Sequence, residues 1–590
     1  MSNKPGRFAQ FWQELKRRHV LRSLAIYAGT AFIILEACNM LFPRWDLPDW
    51  TIDLVFWLLV LGAVINVFVA WVFDITPQGL QKTKPSEELA ESESPSASKG
   101  WKAATYLSLI VIVALIVLNI VGRPKQLRVG DIQSLLILPF DNFTGDDQLD
   151  YVAAGMHSSL IGDMGQISGL RVIGKTTSNI YKGVDMSLPQ IAAELNVEAV
   201  VEPTVMCYGD SVCIQIRVIT PFPEEKQLWM AEYKEERSQI MSLYNRVTKQ
   251  IADEVKVQLT PNEEQLLAET KTVNPDAYDA YLKGMYYWDQ FTPQSLQLAL
   301  EYFNKAIEID PDWAPPHAGI AYYWIAIRQY GLAPPSITVP LIYDNLNKAF
   351  MLDPNSANTQ YVSALASVWT GFDWENGEKE FLKVLEINPN DAFAHVYYAH
   401  LLMTLRRDSE AISHCDVALD LDPLNPMVLA LSTMVLAFTG EYDRAIEVGE
   451  KALAIAPGNG AALGGIYVAY LCTEEYHKCF DAWMGFLPVD EEAKLLVLNI
   501  CDEEGVVAAA RFLAEEYEKN DHILPMEIAQ AYAIANNPSK AMDWLEKGVE
   551  DHDANMPYIG LNWMSNGPYK IDDPRLIELL KKMNLPLPKD

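Results

Sequence analysis

The sequence predicts a multidomain chain: N-terminal transmembrane helices, a mixed α/β domain, and an all-α superhelical solenoid of stacked helical hairpins. Three observations carry that expectation. From Asn274 onward one phrase recurs five times, an amphipathic helix closing on a short apolar tail and then Pro: FNKAIEIDP (303–311), LNKAFMLDP (346–354), FLKVLEINP (381–389), CDVALDLDP (415–423) and GEKALAIAP (449–457). Apolar runs stand near the N-terminus at 24–42, 54–73 and 103–121, and a helix needs about 20 such residues to cross a bilayer. Between these regions, alternating stretches at 199–206 and 212–219 read as a strand hairpin beside segments of helical period.

Composition bounds the function. The 590 residues are 50% hydrophobic, with a mean hydropathy of +0.01 and a formal net charge of −32. That acidity argues against nucleic acid as the main partner. The seven cysteines form no CxxC and no Cys/His cluster, and the nine histidines show no ligand spacing, so no metal site is expected. No GxSxG, HExxH or dinucleotide fingerprint is present. The chain is expected to be no enzyme and to carry no cofactor.

Residues 1–80 read as a basic helix, Phe8–Arg22, followed by a transmembrane hairpin. Lys16, Arg17, Arg18 and Arg22 precede the first span while its loop holds only Arg44, which places the N-terminus in the cytoplasm. Glu36 and Asn39 lie inside that span on one face. Packing glue between helices is the expectation for them, with a buried sensor as the alternative. Residues 81–102 are rich in Ser, Glu, Pro and Lys and read as a disordered linker. The span at 103–121 would carry the remainder outward.

The α/β domain is placed at 131–260. Its expected order is a strand at 134–140, a helix at 149–167 with Val152, Met156, Leu160 and Met164 on one face, a strand at 170–173 and a helix at 188–195. The hairpin follows, then a strand at 228–233 and a helix at 238–259. Three features invite chemistry. GLRVIGKT (169–176) matches the phosphate-loop pattern, but a strand runs through it and TTSNIYKG has poor helix character, so a nucleotide site is not expected. Asp141, Asn142, Thr144, Asp146 and Asp147 crowd one loop. With no Glu closing a calcium frame, a turn and helix cap is expected. Cys207 and Cys213 flank the hairpin turn. A three-residue or bulged turn would let them face each other, whereas a two-residue turn would set them on opposite faces; both remain open.

The solenoid is placed at 274–557. The last three Pro intervals are 35, 34 and 34 residues, and 34 is the tetratricopeptide period. Small residues fall where helices must cross: Ala299, Ala306, Ala411, Ala418, Ala445 and Ala452. An insertion at 330–340 is expected to form a lip, and residues 558–590 a C-terminal cap. Such solenoids hold partner segments in a concave groove. Tyr322, Tyr323, Trp324, His395, Tyr397 and Tyr398 are the candidate groove residues.

The order LPFDNFTGDD, GLRVIGKTTS, YKG, IAAELNVEAVVEPTV and LWMAEY resembles the TolB-like N-terminal domain of bacterial membrane proteins that join it to tetratricopeptide repeats. FWQELKRRHVLR and FDITPQGL look like the N-terminal module of the same proteins, and NPDAYDAYLKGMYYW looks like their first repeat. Some of those proteins add a cyclase or winged-helix domain; neither is expected here, where the segment before the first span is short. The resemblance implies a bacterial inner-membrane protein with its large C-terminal region in the periplasm, but no reaction. The expected function is a membrane-anchored scaffold for protein–protein interaction, with a protein or peptide partner in the groove and homo-oligomerisation through the transmembrane helices. A transmembrane sensor relaying through Glu36 and Asn39 is the alternative, and an enzyme ranks behind both.

Overall fold

The structure is a computed structural model. It describes residues 27–32, 34–35, 38, 55–60, 62–63, 73–76, 79–82, 132–222, 224–268, 272–290, 292–486, 489–520, 523–561 and 570–587. The chain divides into two compact units, residues 1–125 and 126–590.

In the first unit, residues 27–32 and 55–60 are helical, and the Tyr27 hydroxyl donates to Leu59 O at 2.8 Å. β1 (Phe73–Thr76) and β2 (Gly79–Lys82) pair antiparallel. Here the expectation of transmembrane helices is corrected. Among the described residues no helix is long and apolar enough to cross a membrane. Glu36, Asn39, the Phe8–Arg22 stretch and the run at 103–121 lie outside the described residues. Membrane anchoring, an inner-membrane location with a periplasmic C-terminal region, a transmembrane relay, and oligomerisation through transmembrane helices therefore have no support.

The second unit opens with a mixed sheet. Its strands are β3 (Ser134–Ile137), β4 (Asp141–Asn142), β5 (Arg171–Val172), β6 (Ala199–Tyr208), β7 (Ser211–Thr220) and β8 (Lys226–Glu236). The order is β5-β3-β6-β7-β8, with β4 also on β6. β3 is parallel to β5 and β6, whereas β6, β7 and β8 form an antiparallel meander. Pro139 follows β3 and has no N–H for a ladder, so the strand stops short of Phe140. Every β3 side chain is buried because helices cover both faces. α1 (Asp150–Gly165) and α4 (Ile240–Val255) lie on one face, where Leu135 and Ile137 pack with Met156, Leu160, Leu243 and Ile251. α2 (Lys175–Ile180) and α3 (Leu188–Glu194) belong to the other, where Leu136 packs with Ile173, Ile191 and Val200. The sheet is open: β5 and β8 end it and do not pair. It is neither a closed sheet nor a propeller, and the TolB-like assignment is corrected accordingly.

α5 (Pro261–Ala268) leads into helical hairpins. These are α6 (Pro275–Gln290) with α7 (Pro293–Ile309), α8 (Ala314–Gln329) with α9 (Pro335–Leu352), α10 (Ala357–Trp369) with α11 (Trp374–Ile387), and α12 (Ala392–Thr404) with α13 (Asp408–Leu421). Then come α14 (Pro426–Phe438) with α15 (Tyr442–Ile455), α16 (Gly460–Cys472) with α17 (Tyr476–Phe486), α18 (Glu491–Glu504) with α19 (Val506–Tyr517), and α20 (Pro525–Ile534) with α21 (Pro538–Glu550). α22 (Pro574–Lys582) is the last helix.

The repeated phrase explains the hairpin boundaries. Each Pro at 354, 389, 423 and 457 is followed two residues later by Ser356, Asp391, Asn425 or Asn459, whose side chain accepts from the first turn of the next helix. Ala299, Ala306, Ala411, Ala418, Ala445 and Ala452 are all fully buried. Gly284 in α6 is required by close approach: a Cβ there would lie 2.5 Å from the Phe303 ring. The expected lip at 330–340 is largely the start of α9, with Pro340 inside the helix.

Candidate functional site

The repeats build two features that involve the candidate residues: the aromatic row on the first helices of the hairpins, and the inter-hairpin loops that hold the α/β domain.

The row runs across four consecutive hairpins. Trp288 of α6 meets Tyr322 of α8 with ring centroids 4.6 Å apart, Tyr322 meets Tyr361 of α10 at 5.9 Å, and Tyr361 meets Tyr397 of α12 at 6.3 Å. Equivalent helices stack side by side, so residues on their shared face form a continuous strip. The six candidates divide. Tyr322, Trp324 and Tyr397 are half-buried, whereas Tyr323, His395 and Tyr398 are buried. Consecutive helical residues point about 100° apart, so Tyr322, Tyr323 and Trp324 cannot share one face. Tyr398 packs between helices on Phe381 and donates to Glu378. His395 Nε2 donates to Pro389 O at 3.1 Å, and its Nδ1 faces His414 Nδ1 at 2.8 Å. Burial pushes the His395 pKa down to about 4, so it packs as a neutral ring.

The row ends against the chain's own C-terminal region. Tyr397 contacts Trp369 with centroids 5.3 Å apart. Tyr558 then stacks on Phe438, accepts from Trp369 Nε1 at 3.0 Å and donates to His400 Nδ1 at 3.1 Å. His400 Nε2 donates in turn to Leu431 O at 3.0 Å. Trp374 Nε1 donates to Met583 O at 2.8 Å, and the buried Arg328 guanidinium donates to Trp369 O and His552 O. Tyr558 and Met583, in the segment expected as an end cap, thus fold back onto α10, α11, α12 and α14, and His552 just before that segment onto α8.

The phosphate-loop match has a different use. A short helix, α2, does follow it, but its first turn is filled from the solenoid. Thr177 N–H donates to Asp422 Oδ1 at 2.8 Å, and Gly174 N–H donates to Leu421 O at 2.7 Å. A Cβ on Gly174 would sit 2.4 Å from Asp422 Cγ, so glycine is needed for this approach. Leu424 N–H donates to Thr177 Oγ1, and Asn425 Nδ2 to Thr176 Oγ1. Lys175 pairs with Asp289 at 2.5 Å. A carboxylate thus occupies the place where the pattern would hold a phosphate. Alongside, Val172 N–H donates to Asn390 Oδ1 at 2.9 Å, and Arg171 pairs with Asp420 at 3.1 Å.

Ser178 and His157 lie 3.2 Å apart, but they are no catalytic pair. Both are buried, and His157 Nε2 donates to Ile137 O at 2.9 Å, so that nitrogen cannot take the serine proton. Ser178 Oγ donates to the same carbonyl. The Asp141–Asp147 loop is a turn and cap: Asn142 Nδ2 donates to Asp150, and Asp146 accepts from Gln148 N–H. Among the described residues no group of three or more His, Cys, Asp or Glu is placed to hold a metal. Cys207 and Cys213 form a disulfide, with Cα atoms 4.8 Å apart. The register shift between Val205 and Cys207 and the Tyr208–Val212 pair bring them opposite each other.

No family model matches the chain. A Rhizobium meliloti protein named "Putative adenylate cyclase 3" is 30% identical over 245 residues, which are 40% of this chain and 40% of that protein. The "Transcriptional regulator HilA" of Salmonella typhimurium is 23% identical over 292 residues, 47% of this chain and 52% of that protein. The chain thus spans about half, or less, of the curated relatives it matches. Among solved structures, Pseudomonas aeruginosa PilF aligns at 17% identity with a TM-score of 0.28, over 40% of this chain and 97% of PilF. YrrB, described as a TPR protein with an unusual peptide-binding site, aligns at 19% with a TM-score of 0.23, over 34% of this chain and 99% of YrrB. At these TM-scores neither likeness bears on function. The resemblance to membrane-anchored TolB-like proteins gains no family match and is corrected to helical-hairpin repeats beside an open α/β sheet.

Proposed function

We propose that the chain is a non-enzymatic helical-repeat scaffold that holds a protein or peptide segment along the row Trp288, Tyr322, Tyr361 and Tyr397. The observation that carries this reading is the continuity of the row over four first helices, with Trp288, Tyr322 and Tyr397 half-buried and Tyr361 buried between them. Aromatic faces supply contact area at low entropic cost and attract cationic side chains. A net charge of −32 favours a segment rich in Lys or Arg. The two relatives' names describe different activities, and neither is transferred to a chain that spans so little of them.

The test is selection of peptides on the purified chain from a random display library, followed by affinity measurement of a selected peptide. Tyr322→Ala and Tyr397→Ala are each expected to weaken binding about tenfold, the scale of an aromatic hot spot. Peptides that bind both variants as tightly as the parent chain would refute the groove reading.

A further inference from the structure

The β6–β7 hairpin touches the first repeat helix at its turn. The Tyr208 hydroxyl donates to Asp279 of α6. The Arg237 guanidinium, 5.0 Å from the centre of the Tyr208 ring, donates to the other Asp279 oxygen at 2.9 Å and to Pro275 O at 3.0 Å. Arg237 N–H donates in turn to Asp210 O at 3.3 Å. Tyr208 and Arg237 thus grip the start of α6, and the turn residue Asp210 holds Arg237.

The strand gives Tyr208 little support of its own. The β6–β7 register shifts between Val205 and Cys207, and beyond the shift lie only the Cys207–Cys213 and Tyr208–Val212 pairs. Such a bulge interrupts the hydrogen-bonded ladder. β4 flanks β6 at Thr204 and Val205, and among the described strands Cys207 and Tyr208 pair with β7 alone. The disulfide crosses the first of these two pairs. It is the covalent tie that keeps the end of β6 on β7. A reagent can reach it: Cys207 and Cys213 are half-buried, and Gly209 and Asp210 beside them are exposed.

We propose that Cys207–Cys213 is a redox latch: oxidised, it holds Tyr208 on Asp279 and fastens the hairpin to α6, and its reduction releases that grip. The reductant is a dithiol. One of its thiolates attacks a disulfide sulfur, breaking the S–S bond and forming a mixed disulfide, and its second thiol then displaces the protein sulfur. Two electrons and two protons pass to Cys207 and Cys213, which become thiols, and the reductant leaves as its own disulfide. The domain's other hold on the solenoid, Asp422 on Thr177 and Asn390 on Val172, contains no cysteine, so reduction loosens one end only. The latch acts on the start of α6 and stands whether or not the aromatic row holds a peptide.

The experiment is hydrogen exchange on the full chain, oxidised and after dithiothreitol. The other five cysteines are free, so the reagent has one bond to reduce. Reduction is expected to speed exchange about tenfold at amides 207–210 and 276–283, the scale of a lost hydrogen bond to a charged group, and to leave amides 174–178 and 421–425 unchanged. Tyr208→Phe keeps the disulfide and removes the bond to Asp279. Oxidised, that variant should already exchange faster at 276–283, and reduction should add little there. The chain carrying Cys207→Ser and Cys213→Ser should match the reduced wild type with or without dithiothreitol. Faster exchange confined to 207–210 overturns the proposal, because the turn would then fray without letting go of α6. So does an absence of change on reduction, a rise spread over the whole chain, a Tyr208→Phe chain that responds in full at 276–283, or a double-serine chain that still responds to dithiothreitol.

Discussion

Asp422 caps a helix distant in sequence: its Oδ1 accepts the N–H of Thr177, 245 residues earlier, at 2.8 Å. The carboxylate belongs to a repeat tail, and the helix belongs to the α/β domain. The same loop supplies Leu421 O to Gly174 and Asn425 to Thr176. The domain is therefore held by backbone groups that any solvent-exposed helix end would leave to water.

Asp422→Ala is expected to lower stability by about 1–3 kcal/mol, the range for a lost cap plus a buried donor left unpaired. Hydrogen exchange separates this from general loosening. Amides 174–178 and 421–425 should gain exchange first, while α16 to α19 stay protected. Uniform exchange across the chain would mean that the contact does not set the docking.

Tyr558→Phe removes one hydroxyl that both accepts from Trp369 and donates to His400. The ring keeps its place on Phe438, so only the polar network is lost. Two buried partners are left unpaired, and stability should fall by about 1–3 kcal/mol. The urea midpoint of the variant reads it directly. An unchanged midpoint would show that the folded-back C-terminal region contributes no stability through this hydroxyl.

Much of the solenoid was legible because its signals are local. Pro354 with Ser356, Pro389 with Asp391, Pro423 with Asn425 and Pro457 with Asn459 mark one helix end and the next start within three residues. Strand and helix periods likewise located the sheet elements, since β3 is buried on both faces and β6 and β7 alternate. The long-range contacts were not legible. Asp422 looks like any repeat-tail acid until Thr177 is beside it, and Tyr558 looks like cap until His400 is above it. The disulfide depended on a bulge at Met206 that no residue type announces. Apolar runs alone suggested membrane spans, whereas among the described residues no helix is long and apolar enough to cross a membrane. Among the candidate groove residues, adjacent aromatic positions were grouped by sequence, whereas helical geometry sends Tyr322 and Tyr323 to different neighbours.

Reducing Cys207–Cys213 opens a small loop at the β6–β7 turn. Loop-closure entropy assigns about 2 kcal/mol to a ring of this size. Cys207→Ser should lower the stability of the α/β domain by that amount at most, and added dithiothreitol should shift the wild type but not the variant. A shift of the variant as well would locate the effect elsewhere.

Acid should unfold the chain through buried histidines. His157, His395 and His400 are each pushed down from 6.5 to about 4, chiefly by burial. Below pH 6.5 the unfolded chain takes up protons that the folded one refuses. Stability held at neutral pH is therefore lost as pH falls from about 6.5 to about 4. Between pH 7 and pH 5 the loss is about 2 kcal/mol per histidine. Urea midpoints for the wild type and for His400→Asn should diverge less at pH 5 than at pH 7, because the variant no longer pays that proton uptake. A constant difference would count against a neutral buried His400.

Glu527 runs the opposite way. Burial, with Asp553 beside it, raises its carboxyl to about 8 against 4.5 for the free side chain. Asn555 Nδ2 donates to Oε1 at 3.2 Å, and Oε2 is buried without a hydrogen-bond partner. The folded chain therefore keeps a proton that the unfolded chain releases above about pH 4.5. Stability is fully present below that pH and is lost as pH rises through about 8. Glu527→Gln keeps the shape and the acceptor for Asn555 while removing the ionisation. The variant should match the wild type near pH 4.5 and exceed it at pH 9 by a few kcal/mol. Urea midpoints of both chains at pH 5, 7 and 9 give the comparison. A wild-type deficit that grows with pH fixes Glu527 as a protonated, buried group in the first turn of α20; a difference that stays flat across the three pH values would mean that the carboxylate ionises normally and finds water or a counter-charge in the fold.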